Sequence, residues 1–188
     1  MSNQNLGNVI NSSSYLLSKL DIKYTLRYLS NLLQTHPFFP SLAAVSDVFS
    51  HYNVENEAFK VSYDTLHTLQ VPFIAHLTVK KGTFVVVEKV TNDEVLFHLE
   101  NKSLISLKKD DFIQIWDNVI FQAKTTSISG EPDYVKHHRK EQLEKAKIPA
   151  MLLLVTLIFL FFVAVKPALG YFIPLFMAKI IGLFFAIP

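Results

Sequence analysis

Of the 41 residues from 148 to 188, only Lys166 and Lys179 are charged, whereas residues 1–147 carry 16 basic and 16 acidic side chains. A chain with this asymmetry divides into a polar, electrically neutral part and an apolar tail. Residues 148–165 form an uncharged 18-residue run rich in Leu, Phe and Val, close to the length that crosses a hydrocarbon core about 30 Å thick. The pattern predicts a transmembrane helix over 148–165 and a second, weaker span over 168–188, interrupted by Pro174 and Lys179. Lys179 either snorkels from a short or interfacial helix or meets a partner, such as further helices of a longer membrane protein. Residues 1–11 are polar and lack the apolar core of a secretory signal.

Residues 136–147, KHHRKEQLEKAK, hold five basic and two acidic side chains just ahead of the first apolar run. The positive-inside tendency puts this stretch, and the polar part with it, on the cytoplasmic side of the membrane. A topology signal is the plainer reading of these charges; an anionic-lipid site is the other. His137 and His138 are adjacent, so on a helix they diverge by about 100°, which opposes a shared metal. Gly130, Glu131 and Pro132 read as a linker. Neutrality argues against nucleic acid, which calls for a basic face. The chain has no cysteine, which removes a thiol nucleophile, disulfides and thiolate metal sites together.

Within the polar part, residues 6–20 predict a first helix. Asp21 is placed to cap a second, with Ile22, Leu26, Leu29 and Leu33 on one face, ending at His36-Pro37. Ser41 caps a third, with Leu42, Val45, Phe49 and Tyr52 on one side, and residues 62–69 predict a short fourth. The period then becomes strand-like. Residues 72–79, 83–90 and 94–100 are β-rich runs separated by Lys81-Gly82 and Asn92-Asp93, an antiparallel meander. Residues 102–107 read as a further strand, 109–116 as a short amphipathic helix and 118–124 as a last strand. Helices first and strands second define an α+β domain over residues 1–125, followed by a basic linker at 126–147 and the membrane segment at 148–188.

Three blocks in this order resemble the papain-like domain of the double-glycine-leader cysteine peptidases, which process bacteriocin precursors. His36-Pro37-Phe38-Phe39-Pro40-Ser41-Leu42, running on through 53–61, is similar to that family's helix leading into a strand. Val71-Pro72-Phe73-Ile74-Ala75-His76-Leu77, followed by residues 82–90, is similar to its central hairpin. Asp111-Phe112 through Trp116 is similar to its closing helix. The resemblance implies a papain-like fold with a cleft for extended peptides.

The catalytic residues the resemblance implies are missing. The family's cysteine falls within residues 8–14, its histidine falls at Thr83 and its aspartate near Leu99-Glu100. A papain-like reaction requires a thiolate, a base and a group that orients the base. Ser12, Ser13 and Ser14 with His76 or His98 form the one conceivable substitute, but neither histidine matches the family base. His76, between Ala75 and Leu77, reads as a packed or edge histidine, and the serines as a polar helix surface or cap. His76 and His98 without a third ligand are a poor metal site. No catalytic, cofactor or metal residue is therefore assigned. No phosphate-binding loop is present, which excludes an ATP site of that type.

A cysteine-less domain of this kind, followed by a basic linker and apolar helices, also resembles the front of bacterial vitamin K epoxide reductase-like membrane proteins. Three readings follow. The first is a non-catalytic peptidase-like domain at the cytoplasmic membrane face, with the lipid bilayer and a peptide or membrane protein as partners. The second is the N-terminal part of a thiol oxidoreductase, and the third a peptidase with a substitute nucleophile.

Overall fold

The computed structural model describes residues 3–79, 82–99, 103–164 and 176–181. Helices come first: α1 (Asn3–Lys19), α2 (Leu26–Thr35) and α3 (Leu42–His51). They are followed by β1 (Glu55–Lys60), the short α4 (Tyr63–Leu66), β2 (Phe73–Leu77), β3 (Thr83–Val90), β4 (Glu94–Leu99), β5 (Ser103–Lys108), α5 (Lys109–Ile115) and β6 (Trp116–Lys124). Every strand pairing is antiparallel, and the sheet order is β1-β6-β2-β3-β4-β5. The expected meander is present as β2 to β5, and β6 returns to lie between β1 and β2.

The sheet is covered on both faces, and alternation along the strands sorts the side chains between two cores. Ile74, Phe84, Val86 and Phe121 pack under α1, α2 and α3, with Leu16, Leu17, Leu29, Leu33 and Phe49 fully or almost fully buried. Phe73, Ala75, Val85, Val87 and Ile120 face the other way, against Leu66, Phe112 and Trp116. Two covered faces explain why residues 84–87 read as one continuous apolar run. Each of these large side chains contributes roughly 1.5–3 kcal/mol by leaving water.

Several sequence expectations are corrected. Asp21 does not cap α2; it sits in a turn at φ 54°, and Thr25 is the N-cap residue. Thr25 makes no capping bond with its own side chain. Its backbone N–H instead donates to the carboxylate of Glu131. Ser41 does cap α3, accepting from the Ala44 N–H at 3.4 Å. The residues 12–14 are not a polar surface: Ser12, Ser13 and Ser14 are 5%, 0% and 5% exposed. Small side chains there let α1 lie close on β3, where the Ser12 hydroxyl donates to the Phe84 carbonyl at 2.9 Å.

The chain forms two units, residues 1–139 and 140–188. α6 (Tyr134–Ala164) begins in the first and continues in the second. Its first half carries the charges, with ion pairs Lys145–Glu141 and Lys147–Glu144, and its uncharged part starts at Ile148. Among the described residues no helix is long and apolar enough to cross a membrane. The expected spans at 148–165 and 168–188 are therefore not delivered by the described structure. The first half of α6 is too charged, its uncharged part is described only to Ala164, and the second run is described only over the helical residues 176–181, where Lys179 is exposed.

Candidate binding groove

A groove of about 530 Å³ opens at one end of the helical face of the sheet. One wall is the loop between α2 and α3, with Phe38 64% exposed and Phe39 beside it. Val9 of α1 and Phe84 of β3 contribute to the lining, and His76 and Asp117 are its titratable groups. The loop is held from within. The Phe38 N–H donates to His36 Nδ1 at 3.3 Å, and His36 Nε2 meets Asp47 at 3.0 Å. This fixes the loop while leaving the Phe38 ring outward.

His76 and Asp117 come together because the β2–β6 ladder is irregular. Ala75 pairs with Ile120 and Leu77 with Trp116, so that His76 alone stands opposite residues 117–119. The surplus residues on β6 bulge, with Asn118 in the left-handed region at φ 67° and the Val119 N–H donating to Asp117 Oδ1 at 3.2 Å. That turn aims Asp117 at His76, and Oδ2 meets Nδ1 at 2.5 Å. A carboxylate acceptor fixes the proton on Nδ1 and turns Nε2 away from the aspartate. Opposite Nε2 lies Gly82, whose φ of 98° favours glycine; a Cβ there would stand 2.8 Å from His76 Nε2. The Phe84 ring flanks the imidazole at 5.0 Å between centroids.

Next to the groove the first turns of α1 are tied to β3. Asn8, 4% exposed, donates from Nδ2 to the Phe84 carbonyl at 2.9 Å and accepts the Phe84 N–H at 2.7 Å. Thr83 is buried, its hydroxyl donating to the Val79 carbonyl at 3.1 Å. Where the resemblance places a cysteine, the chain thus carries residues that hold α1 to β3, and where it places a histidine, a threonine that braces the β2–β3 turn. Leu99 ends β4, and Glu100 lies outside the described residues.

His76 is packed, as expected, against Phe84 and Gly82, and it is in addition partnered by Asp117 and lines the groove with its side chain 26% exposed. Asp117 went unrecognised in the sequence. It lies 41 positions from His76 and only the bulge joins them, so no local spacing signals the pair. His98 has a separate setting. Its Nε2 stands 3.4 Å from Glu88, its ring lies 4.5 Å from Tyr15, and its Nδ1 is buried without a partner among the described residues. Glu88 is held below the ordinary carboxylate value first by Lys19 at 2.6 Å and then by the Tyr15 hydroxyl at 2.6 Å. Neither histidine hydrogen-bonds a serine among the described residues: Ser12 and Ser14 donate to backbone carbonyls, and Ser13 is 0% exposed with its hydroxyl sealed from solvent and unpartnered. Among the described residues no group of three or more His, Cys, Asp or Glu could hold a metal.

The family model for the peptidase C39 family matches residues 9–127, most of the chain. The chain belongs to the peptidase C39 family. Solved structures of C39 domains share its fold at low identity. The peptidase domain of Streptococcus ComA, a bifunctional ABC transporter involved in quorum sensing, is 17% identical with a TM-score of 0.55, covering 67% of this chain and 95% of that one. A double-glycine motif protease from an AMS/PCAT transporter, solved with its leader peptide, is 16% identical with a TM-score of 0.57 over 67% and 89%. The C39-like domain of a Vibrio parahaemolyticus toxin secretion ATP-binding protein is 16% identical with a TM-score of 0.51 over 67% and 99%. No curated protein matches the chain.

Proposed function

We propose that the C39 domain of this chain is a non-catalytic module that binds an extended peptide in the groove between the α2–α3 loop and His76. The observation that carries this reading is an open groove with an aromatic lip and one oriented histidine, in a family of peptidases, on a chain that contains no cysteine. A related domain was solved with a leader peptide, which makes a peptide ligand the natural class for this groove. Phe38 and Phe39 would take apolar side chains, and His76 Nε2 would meet a backbone polar group. Without a thiolate, and with Ser12, Ser13 and Ser14 buried away from a bound peptide, the peptide is held and not cut.

The tail supports a membrane location on the cytoplasmic face. In its apolar half, Leu152, Leu153, Leu154, Leu157, Phe159, Leu160 and Phe161 are 46–64% exposed, so no side of the helix is polar. A helix apolar all round finds its solvent in lipid or in other apolar helices. Helices of a vitamin K epoxide reductase-like core are one such neighbour, and this reading leaves the C39 domain as their peptide- or protein-binding front.

The test is a titration of a labelled double-glycine leader-type peptide with the detergent-solubilised full chain, followed by mass spectrometry of the peptide. Saturable binding, an intact peptide, and at least tenfold weaker binding by Phe38→Ala are expected. Cleavage of the peptide, or binding indifferent to Phe38, contradicts the proposal.

A further inference from the structure

The segment with Gly130, Glu131 and Pro132 is no free linker. The Glu131 side chain is fully buried, and donors from three directions converge on its two oxygens. The Thr25 N–H and hydroxyl reach it from the N-cap of α2, the hydroxyl at 2.9 and 3.0 Å. His137, in the first turn of α6, donates from Nδ1 at 2.7 Å. Tyr52, the C-cap residue of α3, offers its hydroxyl at 3.5 Å. Burial, and then the Glu131 charge, push the Tyr52 phenol far above its ordinary value, which keeps it a donor. Around this center the Tyr28 ring stacks on His137 at 4.1 Å and its hydroxyl meets His51 Nε2 at 3.1 Å. The backbone completes the clasp: the Gly130 N–H donates to the Tyr52 carbonyl at 2.8 Å and the Glu131 N–H to the Lys23 carbonyl at 3.0 Å.

These contacts grip the start of α2 and the end of α3, which lie side by side at the open end of a helical hairpin. The other end of the hairpin, about 15 Å away along a ten-residue helix, is the loop with Phe38 and Phe39 that forms the groove lip. We propose that Glu131 and His137 are a latch by which the first turn of α6 holds the α2–α3 hairpin, and with it the groove lip, in position. His137 is the releasable half. Its side chain is 25% exposed, whereas Glu131 cannot be left without donors in a buried site. Displacement of the first turn of α6 removes one donor from Glu131, loosens the N-cap of α2, and frees the hairpin to move against the sheet. The groove is thereby coupled to the segment that leads into the apolar tail, whatever the groove binds.

Hydrogen exchange on the full chain, comparing wild type with His137→Gln and Glu131→Gln, tests the latch. Exchange of the amides of 25–29 is expected to accelerate at least tenfold in both variants, and that of 36–41 at least threefold. Strand β3 should keep its wild-type protection. His137→Gln decides the matter if Glu131→Gln does not fold, since it leaves the Thr25 contacts in place. Unchanged exchange over 25–41 in His137→Gln overturns the proposal, and so does an equal acceleration in every segment, which would mark a general loss of stability.

Discussion

Two of the domain's histidine–carboxylate pairs, His76–Asp117 and His137–Glu131, differ chiefly in how far the acid is buried. At His76–Asp117 the side chains are 26% and 32% exposed; at His137–Glu131 they are 25% and 0% exposed. Both histidines use Nδ1, at 2.5 and 2.7 Å. The difference teaches what burial does to one chemistry. An acid open to water keeps part of its hydration, so its pair contributes little to stability and stays free to meet a ligand. An acid sealed from water must be supplied with donors by the fold, and it then fixes whatever elements supply them.

The largest expected effect of breaking this contrast is at the buried acid. Glu131→Ala should lower unfolding stability by about 3 kcal/mol, because Thr25 and Tyr52 lose their acceptor and a cavity forms; a urea midpoint close to wild type would erase the distinction. Gly82→Ala comes next. A side chain at φ 98° that also presses on His76 Nε2 should cost about 1–2 kcal/mol and weaken peptide binding, read by thermal unfolding and by titration. Asp117→Asn should change stability by less than about 1 kcal/mol, since the pair is solvent-screened, while reducing peptide affinity several-fold by freeing the imidazole to turn. A large loss of stability there would make the groove pair structural.

The smallest effect concerns pH. Glu88 titrates below its ordinary value of 4.5, so its contribution is complete above that pH and is lost as pH falls through the lower folded value. With Lys19 42% exposed the contribution is under about 1 kcal/mol. Glu88→Gln should therefore lower neutral stability by under about 1 kcal/mol and correspondingly flatten the loss of stability below pH 4.5 in acid unfolding curves.

Much of the architecture was legible in the sequence, because alternation and caps are local. Strand β3 was expected at its observed bounds, and the Ser41 cap was read from one hydroxyl before an apolar face. The burial of Ser12–Ser14 was hidden, because hydroxyl residues look the same on a wet helix face as on one whose hydroxyl bonds a neighbouring strand. His76 and Asp117 were separated by a bulge that no spacing rule encodes, and β6 was read as starting two residues late. Glu131 sat between Gly130 and Pro132, so a turn signal masked the most deeply placed carboxylate among the described residues. Functional and positioning groups were missed where long-range pairing, not periodicity, decides the surroundings.

The contrast between the two pairs also gives the sharpest test of the groove. Ring resonances of the seven histidines can be followed by NMR while a double-glycine leader-type peptide is added to the full chain. His76 should shift progressively to saturation and His137 should stay where it is, with the peptide recovered intact. A peptide that shifts His137 and not His76, or that is recovered cleaved, would contradict a groove that binds through His76 without catalysis.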